Sequence, residues 1–118
     1  MPLKRCLIEI GCGVDLHGSD STKAAQRAIA DAFARNNISF YTLARTFRAD
    51  LGSMEIDATV GVPRPETVDR QVVLAGLPGG NTKLKIEEGG LRVPDEAGTD
   101  ATVIASAAIV VRLGLPED

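Results

Sequence analysis

The sequence predicts an α+β fold, a two-layer sandwich of order β-α-β-α-β-β with the helices on one face of a mixed sheet. Three observations predict it. Apolar and polar residues alternate over 3–10 and 54–60, the two-residue period of half-buried strands. Between them Ala24, Ala25, Ala28, Ile29, Ala32 and Phe33 recur at spacings of one, three and four, which places them on one helical face. Proline and glycine pairs then divide the second half of the chain into short segments.

In the first strand Cys6, Ile8 and Ile10 share one face and Arg5, Leu7 and Glu9 the other. A glycine-rich loop over residues 11–18 follows. Ser19 or Asp20 supplies an N-cap for the first helix, whose alanine-rich face can sit close on a sheet and which stops near Asn36-Asn37, residues that tolerate the left-handed conformation. Phe40, Leu43 and Phe47 suit one face of a short helix, and Asp50-Leu51-Gly52-Ser53 reads as a turn. Met54, Ile56, Ala58 and Val60 stand opposite Glu55, Asp57 and Thr59 in the clearest strand of the chain, ended by Pro63 and Pro65. Pro65 or Glu66 opens a second helix containing Val68, Val72, Val73 and Leu74, closed by Pro78-Gly79-Gly80-Asn81. Leu84, Ile86 and Glu88 alternate with Lys83, Lys85 and Glu87, and Gly89-Gly90 turns the chain into a short return through Leu91-Arg92-Val93. Residues 94–99 form a polar loop. The last segment, 101–113, has helix-compatible Ala105 to Ala108, but its β-branched Val103, Ile104, Ile109, Val110 and Val111 favour a strand.

A chain of 118 residues is read as one domain, 1–118, able to bury roughly two-thirds of its unfolded surface. With 44% hydrophobic, 25% charged and only 3% aromatic residues, its core must be built from Val, Ile, Leu and Ala. Such a light core is a reason to expect completion by a partner subunit. Thirteen basic and 16 acidic residues give a net charge of −3 without any block of like charge. Nucleic-acid binding, which calls for a clustered basic face, is not expected. No run approaches the roughly 18 apolar residues of a membrane span, and no signal peptide is evident; the expectation is a cytoplasmic protein with no membrane partner. Cys6 and Cys12 match neither a zinc knuckle nor a Cys-x-x-Cys pair and are read as reduced and packed.

The stretch around which the chain is organised is Gly11-Cys12-Gly13-Val14-Asp15-Leu16-His17-Gly18. Three glycines in eight residues permit φ > 0 and close approach, and His17 is the only histidine. Gly11, Gly13, Asp15, His17 and Gly18 fit a pattern Gly-x-Gly-x-Asp-x-His-Gly. In this the chain resembles the Lin0512 family of bacterial and plant proteins, a resemblance that extends through nearly the whole chain and carries a motif but no reaction. The element order also resembles the small trimeric fold of the bacterial chorismate mutases and reactive-intermediate deaminases. That resemblance implies three sheets closing round an axis, ligands between subunits, and neighbouring subunits covering the face opposite the helices. A ferredoxin-like monomer is the structural alternative.

Asp15 and His17 are the candidate catalytic pair: Asp15 would orient the imidazole and hold its tautomer while His17 moves a proton near neutral pH. The plainer alternative is that Asp15 caps the helix or pins the loop. Backbone N–H groups of Gly11, Gly13 and Gly18 are candidate binders of an anion at the helix N-terminus, with Lys23 assisting. The third glycine of a dinucleotide site and the Lys-Ser/Thr of a P-loop are missing, so nucleotide binding is not expected. A metal would need Asp15, His17 and an acid from elsewhere; no metal and no named cofactor is assigned. Glu55 and Asp57 share a strand face and are further candidate ligand-binding residues, with Lys83 and Lys85 placed to neutralise them across the sheet.

Two functions remain open. One is a small homo-oligomer, a trimer, that binds a small polar or anionic metabolite at an intersubunit cleft and turns it over by His/Asp acid–base chemistry of lyase, isomerase or deaminase type. The other is a non-catalytic binding or interaction module in which the glycine-rich motif is structural.

Overall fold

The computed structural model describes residues 2–35, 45–46, 48, 50–78 and 81–116. Its order is β1 (Leu3–Asp15), α1 (Ser21–Ala34), β2 (Asp50–Val62), a 3-10 turn (Pro65–Thr67), α2 (Arg70–Leu74), β3 (Asn81–Glu88), β4 (Leu91–Pro94) and β5 (Ala101–Gly114). The five strands form one mixed sheet in the order β1-β5-β2-β3, with β4 alongside the start of β5. β5 is antiparallel to β1, β2 and β4, while β2 and β3 run parallel. The α+β class, the mixed sheet and the strand over 101–113 are as the sequence predicts; residues 36–44, 47 and 49, including the expected helix around Phe40, Leu43 and Phe47 and the stop at Asn36-Asn37, lie outside the described residues.

β5 is the central strand because its odd-numbered residues are buried side chains that tolerate a fully covered face. Val103, Ala105, Ala107, Ile109, Val111 and Leu113 are all at most 2% exposed. Ile56, Ala58, Val60 and Val62 of β2 continue the same face, with Leu84 of β3 at its edge. Against it lies α1, whose Ala24, Ala25, Ala28, Ile29 and Ala32 are buried. The cap is Asp20, whose carboxylate accepts the Lys23 N–H at 3.1 Å. Val73 and Leu77 extend the core under α2.

Several details differ from the sequence reading. The short return over Leu91–Pro94 is a strand in its own right, so the order is β-α-β-α-β-β-β and not β-α-β-α-β-β, and Cys12, expected to be packed, is exposed. β1 does not stop at Ile10 but runs to Asp15, so the first five of the eight motif residues are strand and the loop begins only at Leu16. The segment 50–53 belongs to β2 as an irregularity in its register with β5: Asp50 accepts the Gly52 N–H at 3.0 Å and the Ser53 hydroxyl at its carbonyl. The second helix is split, because a 3-10 turn after Pro65 gives way to extended Val68 before Asp69 caps α2. Finally, Gly89-Gly90 does not close a hairpin between β3 and β4. It carries the chain across the end of β2 so that β4 pairs with β5 instead. Gly89 donates to the Val62 carbonyl at 2.9 Å, and Gly90, at φ +65°, passes so close that a Cβ there would sit 2.0 Å from the Ile104 oxygen.

Among the described residues, no helix is long and apolar enough to cross a membrane.

Candidate functional site: the turn at the end of β1

The motif's five marked residues divide between two jobs. Gly11 and Gly13 lie on the helix-facing side of β1, and both are buried. A Cβ at Gly11 would come within 2.2 Å of the Ala28 oxygen and 2.4 Å of the Ala32 nitrogen; one at Gly13 would come within 2.1 Å of the Ala24 oxygen. With alanines on the helix and glycines on the strand, the two backbones touch. Side chains on α1 then reach over the outer edge of β1: Asp31 accepts the Cys12 N–H at 2.9 Å, and Arg27 donates to the Val14 carbonyl at 2.6 Å. Unpaired strand edges invite other chains, and here the helix itself closes this stretch. The Cys12 N–H is also the main reason why the Asp31 carboxyl is held below the usual aspartate range, with Arg35 adding to it.

Asp15 is the last residue of β1 and is 5% exposed. One carboxylate oxygen accepts the Asp20 N–H at 2.9 Å; the other lies 3.4 Å from Arg27 Nη1. Asp15 thus ties the strand end to the residue that caps α1, bracketing the turn 16–19. Within that turn Gly18 has φ +93° and Ser19 φ +52°. The first suits glycine; the second places a residue with a Cβ in the left-handed region, at a cost of about 1 kcal/mol.

His17 projects from this turn with its side chain 87% exposed. Its Nδ1 lies 3.1 Å from Oδ2 of Asp100, the residue just before β5. The other oxygen, Oδ1, accepts two backbone N–H groups, from Gly18 and from Ala101, each at 2.8 Å. These hydrogen bonds, the Gly18 N–H foremost, then Ala101 and His17, hold the Asp100 carboxyl below the usual aspartate value of 3.8. A carboxylate so fixed favours a proton on Nδ1, which leaves Nε2 as an acceptor or base. Nε2 has no hydrogen-bond partner among the described residues. Thr102 adds a bond from its hydroxyl to the Leu16 carbonyl at 3.3 Å.

Two open depressions meet at His17. One, of about 630 Å³, is walled by Val14, Asp15, Leu16 and Arg27. The other, of about 200 Å³, lies between Leu16, Val93, Asp95, Asp100 and Thr102. Asp15, His17 and Gly18 are therefore brought together, although Asp15 does not touch the imidazole. Lys23 lines a different groove, between α1 and α2, with Gln26, Ala30, Val73 and Gly76. Glu55 and Asp57 lie on the sheet face away from α1, level with Arg112 and Val110 of β5. Those positions are ten and eight residues along β5 from Thr102, roughly 33 and 26 Å. Asp57 is ion-paired with Arg112 of β5, and not with Lys83 or Lys85. Among the described residues no three His, Cys, Asp or Glu side chains are grouped so as to hold a metal ion.

Asp100 and Arg27 are the site residues that sequence reasoning did not find. Asp100 follows Gly98-Thr99 at the start of a strand, where an aspartate ordinarily reads as a turn former. Arg27 sits on a helix face among polar neighbours. Neither has a local pattern that points to residue 17 or to Asp15.

A family model described as conserved hypothetical protein, Lin0512, matches residues 5–111. The chain is also similar in structure to an FtsZ-like protein of unknown function from Nostoc punctiforme, with a TM-score of 0.80 and 36% identity, covering 97% of this chain and 98% of that one. No curated protein matches the chain.

Proposed function

The chain belongs to the Lin0512 family of conserved hypothetical proteins, and from that premise we propose that it binds a small polar or anionic metabolite at the turn around His17, in a homo-oligomer, with His17 Nε2 as the atom that meets the ligand. The observation that carries this reading is the Asp100–His17 pair. A carboxylate anchored by the N–H groups of Gly18 and Ala101 orients an exposed imidazole, which is the arrangement a general base or a hydrogen-bond acceptor requires. Asp15, given the catalytic role by the sequence pattern, acts in this proposal as a positioning residue for the turn, and Asp100 takes the part of orienting His17. Gly18 supports the pair through its N–H. Proton transfer of the lyase, isomerase or deaminase kind is the chemistry such a group performs, with no covalent nucleophile needed. The trimeric arrangement of the chorismate mutase and deaminase fold is the assembly to test first.

A second reading, a non-catalytic binding module whose motif is architectural, is favoured by the close helix–strand contact at Gly11 and Gly13 and by the buried bonds of Asp15.

The two separate in one experiment. Because His17 is the only histidine, its imidazole carbon-bound protons give isolated NMR signals that can be followed as polar and anionic metabolites, carboxylates and phosphate esters first, are added. Ligands that shift these signals and whose binding is lost in His17→Ala support the metabolite site. Ligands that bind both proteins equally remove His17 from it.

A further inference from the structure

The two depressions that meet at His17 differ in the sign of charge they present. The smaller one is lined by Asp95 and Asp100 and, among the described residues, by no basic side chain other than His17 itself. In the larger one the only acid among the described residues is Asp15, whose side chain is 7% exposed and whose two oxygens face the Asp20 N–H and Arg27. The charge left open there is the guanidinium of Arg27, 55% exposed. Arg27 also borders the groove between α1 and α2, which it shares with Lys23 and with no acid among the described residues. An exposed imidazole thus stands between an acidic wall and a basic one, and a ligand with one anionic group has a favoured way to lie.

The guanidinium is held so that its fork stays free. Only Nη1 is engaged, donating to the Val14 carbonyl at 2.6 Å and lying 3.4 Å from Asp15 Oδ1. Nε and Nη2, which share the opposite edge of the planar group, have no acceptor among the described residues. Two parallel N–H donors on one edge match the two oxygens of a carboxylate. The Val14 bond also fixes the guanidinium beside the strand end that leads into the His17 turn, so part of the rotamer freedom an arginine gives up on binding is already lost. Closing the edge of β1 needs Nη1 alone, and that role leaves the fork without a use.

We propose that Arg27 is the specificity-determining residue of the His17 site: its Nε–Nη2 edge takes the carboxylate of the ligand, which is therefore a small carboxylic acid with its remaining polar groups toward His17 Nε2. This rests on the metabolite reading above and narrows it from polar or anionic compounds to carboxylates.

Ligand pairs that differ only in the acid group test this without altering the protein. The His17 imidazole signals are followed as lactate, malate and gluconate are added, each beside its amide, with inorganic phosphate as an anion that is not planar. An acid is expected to bind at least about tenfold more tightly than its amide, the scale of a charge-assisted pair of hydrogen bonds, and more tightly than phosphate. Arg27→Lys, which keeps a cation near Val14 and Asp15 but has no fork, should lose most of that preference with unchanged far-ultraviolet circular dichroism. Acids that bind no better than their amides overturn the proposal, as does phosphate that binds more tightly than every acid, or an Arg27→Lys protein with undiminished preference. If that variant does not fold, the acid–amide comparison in wild type decides alone. Silence from every acid also sinks the carboxylate assignment, and neutral metabolites that still shift the His17 signals would then leave the metabolite reading standing without it.

Discussion

Asp100 holds His17 across 83 positions of sequence, with one carboxylate oxygen on the imidazole Nδ1 at 3.1 Å and the other on the Gly18 and Ala101 N–H groups. The motif's own aspartate, two residues away, faces the helix cap. Proximity in sequence and proximity of function part company here because β1 ends at Asp15: its side chain stays on the core side while Leu16 and His17 swing out into the turn.

The tautomer of His17 should therefore depend on Asp100. In the neutral imidazole, nitrogen-15 shifts are expected to report the proton on Nδ1 in wild type, and a shift of population toward Nε2–H in Asp100→Ala. The same change in Asp15→Ala but not in Asp100→Ala would return the orienting role to Asp15.

Acid should loosen the turn. The Asp100 carboxyl titrates lower in the folded chain than its usual 3.8, so as pH falls the unfolded chain takes up this proton first. The stabilisation is whole above about pH 3.8 and is lost as pH drops through the folded value. Asp31, lowered for the same kind of reason by the Cys12 N–H, acts in the same sense. Urea midpoints compared at about pH 5 and about pH 2.5 should fall less in Asp100→Asn than in wild type. An equal fall in both proteins would show that Asp100 has no part in it.

Gly11→Ala and Gly13→Ala should be among the most damaging small changes in the chain. Each new Cβ would meet helix backbone at 2.1 to 2.2 Å, and a helix backbone cannot yield as the end of a side chain can. Displacement of α1 from β1 is expected to cost about 3 kcal/mol or more, beyond the usual range for overpacking. Equilibrium denaturation gives the number directly, and a loss of under about 1 kcal/mol would mean that the helix sits further from the strand.

Ser19→Gly should do the opposite. Relief of the left-handed Ser19, at φ +52°, is worth about 1 kcal/mol, offset in part by the greater freedom of glycine when unfolded. A melting temperature that rises or holds is expected; a clear fall would indicate that the serine side chain makes a bond that outweighs the strain.

Asp20→Ala removes the cap of α1 and the acceptor for the Lys23 N–H, a change expected to cost about 1 kcal/mol. Because Asp15 grips the Asp20 backbone and not its side chain, the His17 imidazole signals should stay where they are. Their movement would reveal that the cap and the turn are one unit.

Much of this protein could be read along the chain. The two-residue alternation of 54–60, the alanine face of α1 with its cap at Asp20, and the β-branched run from Val103 to Val111 each specify an element from neighbouring residues alone, because secondary structure answers to spacing and local sterics. The glycine-rich motif could likewise be marked as special. What the motif is special for was decided by tertiary structure. Gly11 and Gly13 serve a helix that begins eight and more residues later, Gly89-Gly90 directs β4 to β5 and not to β3, and His17 finds its partner in Asp100. Each of these depends on which strands lie side by side. That is settled by the burial of a whole face against α1, a sum over many residues that no single stretch of sequence contains.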